Sequence, residues 1–332
     1  MGSHQIHEPF LARRMFRGGH RQTLANFFLL RRFHLPKAEE RLIEVEPGVQ
    51  VLCHCHWQPD RERALTVLVV HGLEGSSDSG YALGIAAKGL AAGMNVIRMN
   101  QRNCGGTNHL APTLYHSGRS SDIAQVVRAL IEQDKICRLA LVGFSMGGNL
   151  ILKLAGEWST EGPREFCAAA AVCPSMDLAA SADALHEPGN RVYEYYFLMK
   201  LRRRWREKAK LFPGHYDATK ARRVTSLRDF DDKVTAPYCG FSGAADYYER
   251  SSASRVIDRI AVPTLILHAT NDPFIRITTE TRTKIAGNPH IAFHESEDGG
   301  HCSFLANANG YDGRWAEREV IEFLRGVREV VP

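Results

Sequence analysis

Arg138-Leu139-Ala140-Leu141-Val142-Gly143-Phe144-Ser145-Met146-Gly147-Gly148-Asn149 is the stretch that decides the fold. Leu139 to Val142 form a short, continuous apolar run, the pattern of a strand buried on both faces. From Gly147 to Trp158 the composition turns helical. Between them Gly143-x-Ser145-x-Gly147 places a serine at the apex of a tight strand-to-helix turn. The flanking positions need glycine, because side chains there would meet the neighbouring strand and helix. Such a turn lifts the serine oxygen out at the carboxyl end of a parallel sheet, where open α/β folds bind their ligands. The helix N-terminus beside it favours developing negative charge. A glycine-rich turn with a merely solvated serine is the plainer alternative. It is set aside because strand, turn and helix follow in the required order.

Working outward, the same alternation recurs. Ala64 to Val70, Asn95 to Asn100, Cys167 to Cys173, Pro263 to His268 and Ile291 to His294 read as buried strands. Tyr81 to Met94, Ser121 to Asp134 and Arg314 to Val330 read as helices. The second carries Ile123, Val126, Val127, Leu130 and Ile131 on one face. Strands alternating with helices predict a mostly parallel sheet covered on both faces. Arg41–Glu46 and Val49–Trp57, joined at Pro47-Gly48, predict a hairpin adding antiparallel strands at one edge. The alternation stops between 179 and 260, a charged, aromatic and helical stretch without a buried-strand run. It is read as a cap over the active-site end, inserted into a core of residues 1–178 and 261–332.

A serine needs a base to become a nucleophile, and in this architecture the partners follow in the order Ser, acid, His. Asp272, in Thr270-Asn271-Asp272-Pro273, stands just past a late strand. His301, in Gly299-Gly300-His301-Cys302, stands past the last one. Glu295, Glu297 and Asp298 are poorer candidates for the acid, being neighbours of His301 in sequence and not at a preceding strand end. His301 would take the proton from Ser145 and return it to the leaving group, with Asp272 orienting the ring. The backbone N–H groups of Met146 and of Leu73, in His71-Gly72-Leu73-Glu74, are the expected oxyanion donors. Glu74 stays open between fixing its loop and being a surface charge. Residues 102–122 are read as a hydrogen-bonded loop in preference to part of the site, with Asp122 capping the next helix.

Composition narrows the function classes. The 332 residues are 44% hydrophobic and 24% charged, which is ordinary for a chain with a sizeable core. The 42 Lys and Arg against 37 Asp and Glu leave only +5, with no groove-reading element, so no nucleic-acid partner is expected. The Lys200–Lys210 run, KLRRRWREKAK, is read as a solvated helix face in preference to a binder of anionic headgroups. Eight scattered cysteines suit buried free thiols in a reducing compartment, and a cytoplasmic location is the default expectation. In Cys53-His54-Cys55-His56 the thiols and imidazoles alternate across a strand and no second ligand pair completes a set, so no metal is expected. No cofactor is expected either, since G-x-G-x-x-G after the first strand and a P-loop lysine pattern are both missing. The short apolar Phe27-Phe28-Leu29-Leu30, closed by arginines, is too short to span a bilayer but leaves room for peripheral membrane contact. Met1-Gly2 lacks the Ser or Thr at position 6 that myristoylation requires.

The chain resembles the YheT-like branch of the α/β-hydrolase superfamily, which includes the EMB8-like proteins and phospholipase-like members. The matching segments are Gly19-His20-Arg21-Gln22-Thr23-Leu24, His71 to Ser77, Asn103 to Gly106, Tyr115 to Gly118, Asp122, Gly143 to Asn149, Asn271 to Pro273 and Gly300-His301. Arg21 departs from the apolar residue expected there. The resemblance implies an α/β-hydrolase fold and a Ser-Asp-His hydrolase of acyl esters, with lipid-like esters among the candidate substrates. In the cap, Tyr193, Tyr196 and Phe197 are the candidate acyl-binding side chains, and Tyr247-Tyr248 a candidate for lid packing. Three readings of function stand. One is an esterase using water on small to medium-chain or lipid-like esters, phospholipase included. Another is an acyltransferase using an alcohol on the same acyl-enzyme, and the remote one a non-catalytic binding protein. Ser145 argues against dehalogenase or epoxide hydrolase chemistry, which wants an aspartate there. The partner expected is a small-molecule acyl ester. Oligomeric state is left open.

Overall fold

In the computed structural model, which describes residue 6, residues 8–29 and residues 31–330, eight strands build one sheet. They are β1 (Glu39–Glu46), β2 (Val49–His56), β3 (Thr66–Val70), β4 (Asn95–Met99), β5 (Leu139–Phe144), β6 (Phe166–Val172), β7 (Thr264–Ala269) and β8 (Ile291–Ser296). Their order is β1-β2-β4-β3-β5-β6-β7-β8. β2 is antiparallel to both its neighbours, β1 and β4, and every other pair is parallel. The hairpin at Pro47-Gly48 therefore reverses one strand, not two: β1 turns back and runs with the rest of the sheet. The Met1-Gly2 reading and Leu30, the end of the apolar run, lie outside the described residues.

The helices are α1 (Gly19–Phe28), α2 (Gly80–Ala91), α3 (Ser120–Asp134), α4 (Met146–Trp158), α5 (Leu178–Leu185), α6 (Arg191–Leu211), α7 (Leu227–Phe230), α8 (Ala236–Cys239), α9 (Ala244–Ser251), α10 (Thr279–Gly287) and α11 (Trp315–Val330). Alternate side chains of one strand leave on opposite faces, and the core divides accordingly. Leu68, Leu139 and Leu141 join Ile123 and Val126 of α3 and Leu150 and Leu154 of α4. Val67, Val69, Ala140 and Val142 join Ile85 of α2 and Val320 and Leu324 of α11. Every residue of β3, β4, β5 and β7 is buried, which is why β3 and β5 read as unbroken apolar runs and not as alternating ones.

Between β6 and β7 the chain forms α5 to α9 and no strand among the described residues. Its apolar side chains make clusters of their own. Leu198, Leu201 and Trp205 gather with Val224, Phe230 and Val234, and Tyr247 and Tyr248 with Leu178 and Ala236. From Ala253 the chain is back in the main core, through Ile257 and Ile260.

Two expectations are corrected. The basic run on α6 is not uniformly a solvated face. Arg204 pairs with the buried Glu74, and Lys208 is fully buried with its ammonium donating to the carbonyl of Ala111. Asp122 does not cap α3. That helix starts without a side-chain cap, and both carboxylate oxygens of Asp122 take N–H groups of Arg102 at 2.6 Å.

Candidate active site

The turn at the end of β5 is held open by backbone geometry. Ser145 has φ 55° and ψ −119°, a strained conformation for a residue with a side chain, at about 1–3 kcal/mol. Its N–H is tied to the Val172 carbonyl at 2.9 Å, and its carbonyl accepts from Asn149 N at 3.0 Å. Glycine is needed on both sides. A Cβ on Gly147 would stand 2.2 Å from the Val70 carbonyl oxygen, and one on Gly143 would stand 2.4 Å from that of Gly147. Asn149, fully buried on α4, braces the region by donating to the carbonyls of Ser117 and Ser251 at 2.9 Å and accepting from Ala253 N at 2.8 Å.

Asp272 and His301 come together as expected from their places after β7 and β8. Nδ1 of His301 lies 2.8 Å from Oδ2 of Asp272. The other carboxylate oxygen accepts the N–H groups of Phe274 (3.1 Å) and Ile275 (3.0 Å). Burial pushes the Asp272 carboxyl up, but His301 outweighs this and the net shift is downward. Ionised Asp272 makes Nδ1 the protonated nitrogen and leaves Nε2 free to act as a base. Burial lowers the basicity of His301. Cys302 and Asp272 raise it more, and the imidazole ends well above its ordinary range. The Cys302 thiol, pushed up by burial, is pulled down to about 6 by Cys173 and His301.

The loop that carries Leu73 packs against the Ser145 turn. A Cβ on Gly72 would lie 3.1 Å from Cβ of Ser145, so the two loops touch. Gln101 N donates to Nε2 of His71 at 3.1 Å, which leaves Nδ1 to donate to the Gly72 carbonyl at 2.8 Å. Gly72 N donates to Tyr81 Oη at 2.9 Å. Burial lowers His71 to about 4, so this brace is neutral. Met146 N opens α4 and so has no carbonyl one turn back to bond. Glu74 is no surface charge. It accepts from Tyr115 Oη at 2.6 Å and from Arg204 Nε at 2.8 Å, tying the loop to α6.

Two cavities meet at Ser145. One is lined by Ser145, His301, Gly72 and Leu73, with Tyr193, Tyr196, Phe197 and Phe274 across from them. The other runs from Ser145 and Met146 under the α5–α9 segment, between Leu114, Leu178, Leu201, Trp205 and Phe230, and reaches Tyr247 and Tyr248. The candidate acyl-binding residues thus sit at the mouth of the site, and only Phe197 also lines the second cavity.

The early segment does work that residue types alone did not disclose. Thr23 Oγ1 accepts the His301 N–H at 2.8 Å, and Gln22 exchanges hydrogen bonds with the backbone of Leu305. Gly18 N donates to Asp298 at 3.0 Å, and Asn271 Nδ2 donates to the same carboxylate at 2.8 Å. The one signal was that 19–24 matched as a block with nothing assigned to it.

Comparison with known proteins agrees with this geometry. The alpha/beta hydrolase fold family matches residues 66–308. YheT of Escherichia coli (strain K12), named as an esterase, is 32% identical over 260 residues, 78% of this chain and 76% of its own. Phospholipase ABHD3 of Mus musculus is 27% identical over 268 residues, 80% of this chain and 64% of its own. The esterase Pf2001 of Pyrococcus furiosus superposes with a TM-score of 0.58 at 16% identity, over 88% of this chain and 91% of that one, a likeness of fold alone. By its sequence, its strand order and its strained serine turn, the chain belongs to the alpha/beta hydrolase fold family, on the branch that holds YheT and the embryogenesis-associated protein EMB8.

Proposed function

We propose that the protein is a carboxylesterase working through an acyl-enzyme. Ser145 attacks the acyl carbon, and His301 Nε2 takes its proton and then delivers it to the leaving alcohol. Asp272 stabilises the imidazolium, and the N–H groups of Leu73 and Met146 receive the oxyanion. Water then repeats the sequence on the acyl-enzyme. The observation that carries this reading is the buried 2.8 Å Asp272–His301 contact opening onto the cavity that holds the strained Ser145. The cavity under α5–α9 is apolar over most of its wall and suits a small to medium acyl chain. On this reading residues 179–260 act as the cap, with Tyr193, Tyr196 and Phe197 at its mouth. Relatives named as an esterase and a phospholipase support an ester or lipid-like substrate.

Five of the eight thiols are buried and none is in a disulfide among the described residues, which supports a reducing, cytoplasmic setting. No described helix is long and apolar enough to cross a membrane. Leu24 and Phe28, exposed on α1 one and two turns beyond His20, support peripheral contact with a lipid surface, since His20 bonds Tyr193 at the cavity mouth.

The test is a p-nitrophenyl ester series from acetyl to palmitoyl. The wild type is expected to turn over with a defined chain-length optimum, and Ser145→Ala to lose about 10⁴-fold or more. A folded wild type inert to every ester and to a fluorophosphonate overturns the proposal. Turnover that appears only with an added alcohol converts it to acyl transfer.

A further inference from the structure

The proposed base has an unusual neighbourhood. Cys173 follows β6 and Cys302 follows His301, and both are buried free thiols with left-handed backbone, φ 44° and φ 58°. They interlock: Cys302 N donates to Cys173 Sγ at 3.4 Å, and Cys302 Sγ donates to the Val172 carbonyl at 3.4 Å. Nε2 of His301 stands 3.8 Å from Cys302 Sγ. The two sulfurs and a ring nitrogen of His301 all lie within 4.8 Å of one another. Acyl transfer uses neither thiol.

We propose that Cys173, His301 and Cys302 form a site for a soft, thiophilic divalent cation, Zn²⁺ or Cd²⁺, whose binding takes the base out of service. Tetrahedral zinc holds thiolate sulfur at about 2.3 Å and imidazole nitrogen at about 2.0 Å, so adjacent ligand atoms should stand roughly 3.5–3.8 Å apart; Cys302 Sγ and His301 Nε2 already stand at 3.8 Å, and Cys173 Sγ needs at most a small inward shift. Two thiolates and an imidazole are the donor set that favours such ions over Mg²⁺ or Ca²⁺. Asp272 supplies the outer support: a metal-bound histidine characteristically donates its other N–H to a carboxylate, and Nδ1 already does so at 2.8 Å. His301 and Cys302 line the cavity with Ser145, which gives the ion a route in and a fourth position for water. A second cluster, Cys173, His268 and Asp272, is as compact, but all three of its residues are buried and one Asp272 oxygen is committed to His301.

On binding, two protons leave to solvent, one from the Cys173 thiol and one from the Cys302–His301 pair, and the dication and two thiolates form a neutral site. The Nε2 lone pair that would accept the Ser145 proton is donated to the metal instead. Loss of ester hydrolysis rests on the proposed function; binding does not.

The experiment titrates the full chain with Cd²⁺ and follows the ultraviolet thiolate-to-metal charge-transfer band, then repeats ester hydrolysis with Zn²⁺ and with a chelator. The wild type should show the band at one equivalent and chelator-reversible inhibition. Cys173→Ser, sealed behind the cavity, should keep its esterase activity and bind about 10–100-fold more weakly. If that variant does not fold, Cys302→Ala read by the band alone carries the same expectation. A wild type without the band, or affinity unchanged by either variant, overturns the site. A band in a protein inert to esters keeps the site and removes the esterase reading.

Discussion

The carboxyl end of the sheet and the α5–α9 segment above it are built on different principles. At the sheet end, position is enforced by backbone: Ser145 at φ 55° between two glycines that tolerate no Cβ, and Asp272 gripped by two N–H groups of its own loop. Above, position is enforced by side chains meeting across long sequence gaps. Arg204 reaches Glu74, 130 residues away, and Lys208 reaches the Ala111 carbonyl. A backbone-built site tolerates change in its surroundings but not in its few reacting groups. A side-chain-built cover can be retuned residue by residue, so on the proposed function substrate choice belongs there.

The largest effect should come from the sheet end. Asp272→Asn keeps the shape but offers Nδ1 a neutral partner and the wrong tautomer, and about a 10⁴-fold fall in kcat is expected with little change in KM. Equal falls for all chain lengths would hold the comparison. A fall confined to long esters would break it, because Asp272 would then be shaping the pocket.

Glu74→Gln comes next, because it severs the link between the two regions. The half-buried Arg204 guanidinium loses its counter-charge, and breaking such a partly buried pair destabilises by about 2 kcal/mol. Denaturant unfolding measures it, with a kcat/KM loss larger for longer acyl chains as the cover loosens. Unchanged stability would mean that α6 is held by its apolar contacts alone.

Much of the lower region could be read from the chain, because each of its parts is local. The strand, turn and helix around Ser145 span a dozen consecutive residues, and buried parallel strands are continuous apolar runs. The upper region was less legible for a physical reason. In Lys200–Lys210 eight of the eleven positions are charged, so charge alone does not separate Arg204 and Lys208, which turn inward, from Arg203, which pairs on the surface with Glu207. Asp122 sits where a first-turn acid favours any helix, and nothing local says that Arg102 takes both its oxygens. Thr23 is 278 residues from the backbone it holds.

Phe197→Ala tests the cover by itself. The ring lines both cavities, and its removal should shift the optimum toward longer acyl chains by about 10-fold in relative kcat/KM, with the pH profile unmoved. A changed pH profile with an unchanged optimum would mean that the ring acts on His301, through Phe274, whose ring lies tilted 4.4 Å from the imidazole, and not on the acyl chain.

Cys302→Ser makes the opposite change, altering pH dependence without altering chain-length choice. Burial lowers the basicity of His301, while Cys302 and then Asp272 raise it to a net value well above the ordinary imidazole. Only the neutral ring accepts the Ser145 proton, so activity rises with pH through that raised pKa. Replacing the thiol by a hydroxyl, which stays neutral, removes one of the two influences that raise it. The pKa then falls, and the acid limb of the kcat/KM profile moves to lower pH. The plateau and the acyl optimum should hardly change, which makes this the smallest effect. A limb that stays in place would mean that Asp272 alone sets the base, and one that moves to higher pH would mean that the thiol lowers it, so either would remove the thiol's raising influence from the account of the sheet end.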